Sequence, residues 1–150
     1  ARMKEAMAYC KEKGYRGFVA NQALDNIASS QMKPYPDETM VTMDEEMLKF
    51  HQESNILAMP YLSLCSGFFT KLAAGVDVTT SPYYTEENIK LAEHLQVLTS
   101  KYKASLTQVI MGFFFVQDMP MCALAGASRE DQLIDFMETL NKQFNSKDFQ

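Results

Sequence analysis

The chain has 150 residues, 47% hydrophobic and 22% charged, with a formal net charge of -5, which is enough for one domain with its own core. The acidic balance argues against a nucleic-acid partner, which needs a basic stripe, and the longest apolar runs fall far short of the roughly 20 residues that span a bilayer. Three widely spaced cysteines, Cys10, Cys65 and Cys122, form no CxxC pair and have no histidine near them in sequence; no metal site is expected, and a reduced, cytoplasmic setting is.

The chain opens on Ala1-Arg2, with no basic-then-apolar leader. We expect this start to be interior to a longer protein. Met3, Ala6, Met7 and Cys10 then recur at helical spacing, and Gly14 is a natural stop. "GFVANQ" (17–22) is short, apolar and β-compatible. After a loop with Pro34 and Pro36, the acids Asp44, Glu45 and Glu46 open a helix that runs to about residues 51–53. "NILAMPY" (55–61) reads as a second buried strand, and "GFFTKLAAG" as a short helix after its loop.

Thr85, followed by Glu86 and Glu87, is a good N-cap for a helix with Ile89, Leu91, Ala92, Leu95 and Leu98 on one face. Ser105 caps a further helix, "LTQVIMGFFFVQ", apolar on most sides and expected to be deeply buried. "MCALAG" (121–126) reads as a third strand. Ser128 is expected to cap a last helix bearing Leu133, Phe136, Met137 and Leu140 on one face.

Helix, strand, helix, strand, helices, strand, helix is the order of parallel βαβ units. Near-continuous apolar strands fit a parallel sheet covered on both sides. Three strands are few for such a sheet, because they leave its edges open. Each strand ends in polar, site-like residues: Asn21-Gln22, then Tyr61 with Ser63, then Gly126-Ala127-Ser128. Ligands bind at the carboxyl ends of strands both in βα-barrels and in open α/β sheets. Position therefore points to one composite site and leaves barrel and open sheet both open.

The residues differ in what they can do. Cys65 lies in S-L-C-S-G, has no base near it in sequence, and reads as a small loop residue rather than a nucleophile. His51 and His94 fall inside helices and read as surface or flank residues. The run 113–115 reads as core, and the eleven methionines as core filler. Gln22 can donate to and accept from a carboxamide, or simply be a solvated strand end. Tyr61 can offer a flat π-face to a planar ring, or be half-buried packing. Gly126-Ala127-Ser128 before a helix lets backbone approach an anion, though serine is also a common cap.

Taken in order, these stretches resemble the aldo-keto reductase family. "GFVANQ" is similar to its sixth barrel strand, "LAMPYLSLCSGFF" to its seventh, and "DEEMLKFHQESNI" to the helix between them. "SPYYTEENI" resembles the region that follows in many bacterial members. "ASLTQVIMGFFFVQDMPMCALAGASREDQL" resembles the next helix, the eighth strand and the turn into the last helix. The resemblance covers essentially the whole chain and implies an α/β fold, a partial (β/α)8 TIM barrel of roughly strands 6–8 with their helices. Residues 1–150 are then the C-terminal portion of the barrel, a single-domain fragment.

The resemblance implies NADP(H) or NAD(H) as cofactor and small aldehydes or ketones as substrates. It assigns Gln22 to the nicotinamide carboxamide and Tyr61 to the ring face. Ser63, Leu64, Ser66 and Gly67 fall to the pyrophosphate, and Gly126, Ala127, Ser128 and Gln132 to the adenosine phosphate end. It assigns no catalytic residue here: the family's Asp, Tyr, Lys and His come from the other half, where the tyrosine donates the proton. Four residues depart from the pattern. Leu62 stands where a serine is usual, Gln132 where many members use arginine, and Asp135-Phe136 where Glu-Asn grips adenine. The expected reading is the C-terminal part of an NAD(P)H-dependent oxidoreductase, inactive alone; the alternative is a non-catalytic binding or accessory protein. Open edges also lead us to expect self-association or pairing with an N-terminal half.

Overall fold

A computed structural model describes residues 2–149. Helix α1 (Arg2–Glu12) ends where expected: Gly14 adopts φ +71°, and Tyr15 N–H donates to Cys10 O at 2.8 Å. Strand β1 (Ala20–Asn21) and strand β2 (Leu57–Ala58) are parallel neighbours, with Ala20 opposite Leu57 and Asn21 opposite Ala58. Both are shorter than their apolar runs, but pairing continues past their ends. Leu57 N–H donates to Val19 O, Met59 N–H to Asn21 O and Tyr61 N–H to Ala23 O.

The third expected strand is reduced to a parallel bridge between Ala58 and Met121. Residues 120–124 nonetheless run beside β2, since Ala58 N–H donates to Pro120 O, Cys122 N–H to Ala58 O and Leu124 N–H to Pro60 O. Three extended segments therefore lie side by side, with β2 in the middle and all carboxyl ends on one edge. Few residues pair on the outer segments, so only the centre meets the regular ladder pattern.

The helices follow their caps. Asp44 accepts from Met47 N–H and starts α2 (Glu45–Ser54), which stops at Asn55 in the left-handed region. A short helix, α3 (Phe68–Ala73), follows the β2 loop. Thr85 accepts from Asn88 N–H and starts α4 (Glu86–Tyr102). Ser105 and Gln108 form a reciprocal capping box at the start of α5 (Leu106–Phe115). The last helix, α6 (Glu130–Glu138), departs from expectation: its N-cap is Arg129, which makes no side-chain cap, and Ser128 lies outside.

The main core lies between the β2 loop, α3, α4 and α5. Phe68, Phe69, Tyr83, Leu95, Leu98, Val109 and Ile110 are all essentially buried there. A smaller cluster of Ala23, Met43 and Ala58 packs with Met47, Leu48, Met119 and Met121 behind the strands. Two expectations need correction. His51 is fully buried, with Nδ1 2.7 Å from Ile56 O and Nε2 3.2 Å from Asn21 Nδ2, so it ties α2 to β1 rather than facing solvent. In the run 113–115, Phe114 is buried but Phe115 is 53% exposed, because one residue of helical rotation carries it away from the buried side.

Candidate dinucleotide site

The loop after β2 has an unusual backbone. Leu62, Cys65, Ser66 and Gly67 all have positive φ, between +52° and +74°. For the three non-glycine residues such a conformation costs free energy and persists only where the surroundings hold it. Asn26 supplies much of that hold. Its Nδ2 donates to Leu62 O and Tyr83 Oη, each at 3.0 Å, while its Oδ1 accepts from Ala28 N–H at 3.0 Å and Cys65 Sγ at 3.2 Å. One buried amide thus joins the loops after β1 and β2 to the main core, with every donor and acceptor used.

Ser63 fixes the third segment. Its hydroxyl reaches Leu124 O at 2.9 Å and Pro60 O at 3.2 Å, and it is buried. The side chain is therefore committed to the fold. Lys71 Nζ donates to Ser66 O at 3.0 Å, placing a cation beside the loop. Cys65 is fully buried, and burial pushes its thiol above the ordinary range. It has no cation to make a thiolate, which fits a structural role.

Across from the loop lies the start of α6. Ser128 N–H and Oγ both donate to Gln132 Oε1, at 2.9 and 3.2 Å. Gln132 thereby occupies Ser128, and the first-turn amides of α6 have no side-chain cap. Arg129 forms a two-point pair with Asp131, Nε to Oδ1 at 2.9 Å and Nη2 to Oδ2 at 3.0 Å. The pair holds the Asp131 carboxyl below its usual range and the guanidinium above its own. Asp135 accepts from Ser105 Oγ and Gln108 Nε2, both at 2.8 Å, and so docks α6 against α5.

Between these two walls is a cavity of about 770 Å3. It brings together Ser63, Leu64, Ser66, Gly67, Gly126, Ser128 and Gln132, all singled out in the sequence, with Leu62, Arg129, Asp131, Asp135 and Phe136 beside them. Gln22, Tyr61 and Ala127 stand outside the lining. Gln22 is exposed at the end of β1, and Tyr61 is half-buried on the neighbouring segment, bridged to Leu24. Neither side chain has a hydrogen-bond partner among the described residues. Asn26 and Tyr83, which shape the loop, are separated by 57 residues. The only local sign of the Asn26 hub is its Asx-type bond to Ala28 N–H, in "DNIASS".

The cavity's size suits a ligand of cofactor dimensions. The loop, with a neighbouring ammonium at Lys71, suits phosphate, whereas the start of α6 carries the acids Glu130 and Asp131 in its first turn. The lining holds no histidine, lysine or tyrosine; its titratable side chains are Arg129, Asp131 and Asp135, each already paired within the fold. Among the described residues, no group of three metal-ligating side chains occurs. No helix among them is long and apolar enough to cross a membrane.

No curated protein matches the sequence. Over 97% of its length the chain superposes on a solved thermostable aldo-keto reductase, Tm1743, crystallised with the inhibitor epalrestat, at 15% identity and a TM-score of 0.61. It spans 50% of that chain. At this identity the likeness speaks for the fold, α/β and of TIM-barrel type. The family model for the aldo/keto reductase family matches residues 1–150, and the chain belongs to that family.

Proposed function

We propose that this chain supplies half of a nicotinamide-dinucleotide site in an oxidoreductase that reduces small aldehydes or ketones. In this reading the three extended segments correspond to strands 6–8 of the barrel, and residues 1–150 to its C-terminal portion. The observation that supports it is the single cavity uniting the β2 loop with the turn into α6. A pyrophosphate would lie against the backbone at 66–67 with Lys71 near it, and the adenosine end against Gly126, Ser128 and Gln132. Gln22 and Tyr61, on adjacent strand ends, would hold the nicotinamide carboxamide and ring. A bound coenzyme supplies hydride; this chain's residues bind and orient it.

The acid, base and carbonyl-orienting groups would come from the other half of the barrel. That half would also cover the open strand edges, in a reducing cytoplasm where Cys10, Cys65 and Cys122 stay free. Leu62 and Phe136 on the cavity wall favour a second reading, an accessory protein that senses nucleotide without turnover. Calorimetry and a carbonyl-reduction assay on the isolated chain test the proposal together. NADH is expected to bind with Kd on the order of 100 µM, because half the contacts are missing, and no carbonyl reduction is expected. Absence of binding, or turnover by the chain alone, would contradict it.

A further inference from the structure

We infer that the adenosine end of this cavity selects NAD(H) over NADP(H), with Asp131 as the specificity-determining residue. The inference rests on the dinucleotide reading above. Three charged side chains line the cavity: Arg129, Asp131 and Asp135. One positive and two negative charges leave an excess of one negative. The two coenzymes differ by a single 2′-phosphate, which carries about -1.5 to -2 charges near neutrality.

Arg129 is the only cation among the lining residues, and Asp131 already holds it at two points. Both are mostly exposed, so the pair alone is worth little and can open. Opening it does not help a phosphate, however, because the freed carboxylate stays within the first turn of α6, well inside one Debye length of the approaching dianion. A ribose diol has the opposite preference. Its hydroxyls can donate to a carboxylate, an acceptor that a phosphate lacks the hydrogens to use. Gln132, which is neutral, cannot offset the charge, and its Oε1 is taken by Ser128. Lys71 does not discriminate, since its contact is to Ser66 on the loop wall, where both coenzymes present the same pyrophosphate.

The test is calorimetric titration of the chain with NADH and NADPH, repeated for Asp131→Asn and Asp131→Glu. NADH should bind about tenfold more tightly than NADPH. Asp131→Asn should tighten NADPH and weaken NADH, which loses its carboxylate acceptor, so that the tenfold ratio falls to about one. Asp131→Glu keeps the charge and should keep the ratio, which separates charge from any local disturbance of α6. Tighter binding of NADPH by the unaltered chain, or a ratio that Asp131→Asn leaves unchanged, would overturn the inference while the dinucleotide reading stood. Failure of both coenzymes to bind would overturn both.

Discussion

Asp25 shows how far one residue's surroundings govern its chemistry. It is 5% exposed, and burial pushes its carboxyl up to about 6, against the pull of the Ser29 hydroxyl, which donates to Oδ1 at 3.0 Å. In the unfolded chain it titrates near about 3.9. Between these values the folded protein keeps a proton that the unfolded chain has released. Stability from this residue is therefore greatest below about pH 4, falls as pH rises to about 6, and stays lower above that. The loss is on the order of 3 kcal/mol. Asp25→Asn removes it: urea midpoints should rise at about pH 7.5 and change little at about pH 4. If the Asp25→Asn variant were no more stable than the original chain at the higher pH, the carboxylate would have to be solvated in the native state. Nothing in "LDNIA" marks Asp25 as buried, because the second cavity it lines is built with residues from distant parts of the chain, Met43, Leu48, Leu91 and Phe113 among them. His51 is hidden from local pattern for the same reason: its partners are on β1 and beyond the end of α2.

Elements with local signals are readable from sequence. Asp44, Thr85 and Ser105 cap helices whose apolar faces are visible in the spacing, since a cap and its helix lie within a few residues of each other. The start of α6 escapes this logic because Gln132 lies one turn beyond Ser128 and captures both its N–H and its hydroxyl. Strands are readable as positions but not as lengths, which depend on partners. The same helix α6 carries the clearest prediction at this scale. Leu133, Ile134, Met137 and Leu140 are 52–61% exposed along it and its end, and none of the residues of α6 is buried. An apolar face of this extent is expected to associate. Sedimentation velocity should show the isolated chain associating as concentration rises, and Leu133→Lys with Met137→Lys should shift it toward monomer. A monomer at all concentrations, or no change in the double variant, would contradict a role for this face.

At the scale of the whole molecule, the cavity exists only because loops far apart in sequence meet on one edge. Sequence order and strand ends locate Ser63, Gly126 and Ser128, and the family resemblance adds Ser66, Gly67 and Gln132. The Asn26 and Ser63 bonds that bring those loops together reach 36 and 61 residues along the chain and leave no local pattern. The charge on the cavity wall is likewise illegible in sequence, because Asp131 matters only once Arg129 is seen folded onto it. The central claim is that these two walls bind one dinucleotide. Amide chemical-shift mapping of the isotopically labelled chain during NADH titration tests it most directly. Saturable shifts should appear together at Ser66, Gly67, Gly126, Ser128 and Gln132, with α1 unmoved. Shifts on only one wall, shifts confined to the cavity around Asp25 and His94, or no saturable shifts at all would contradict it.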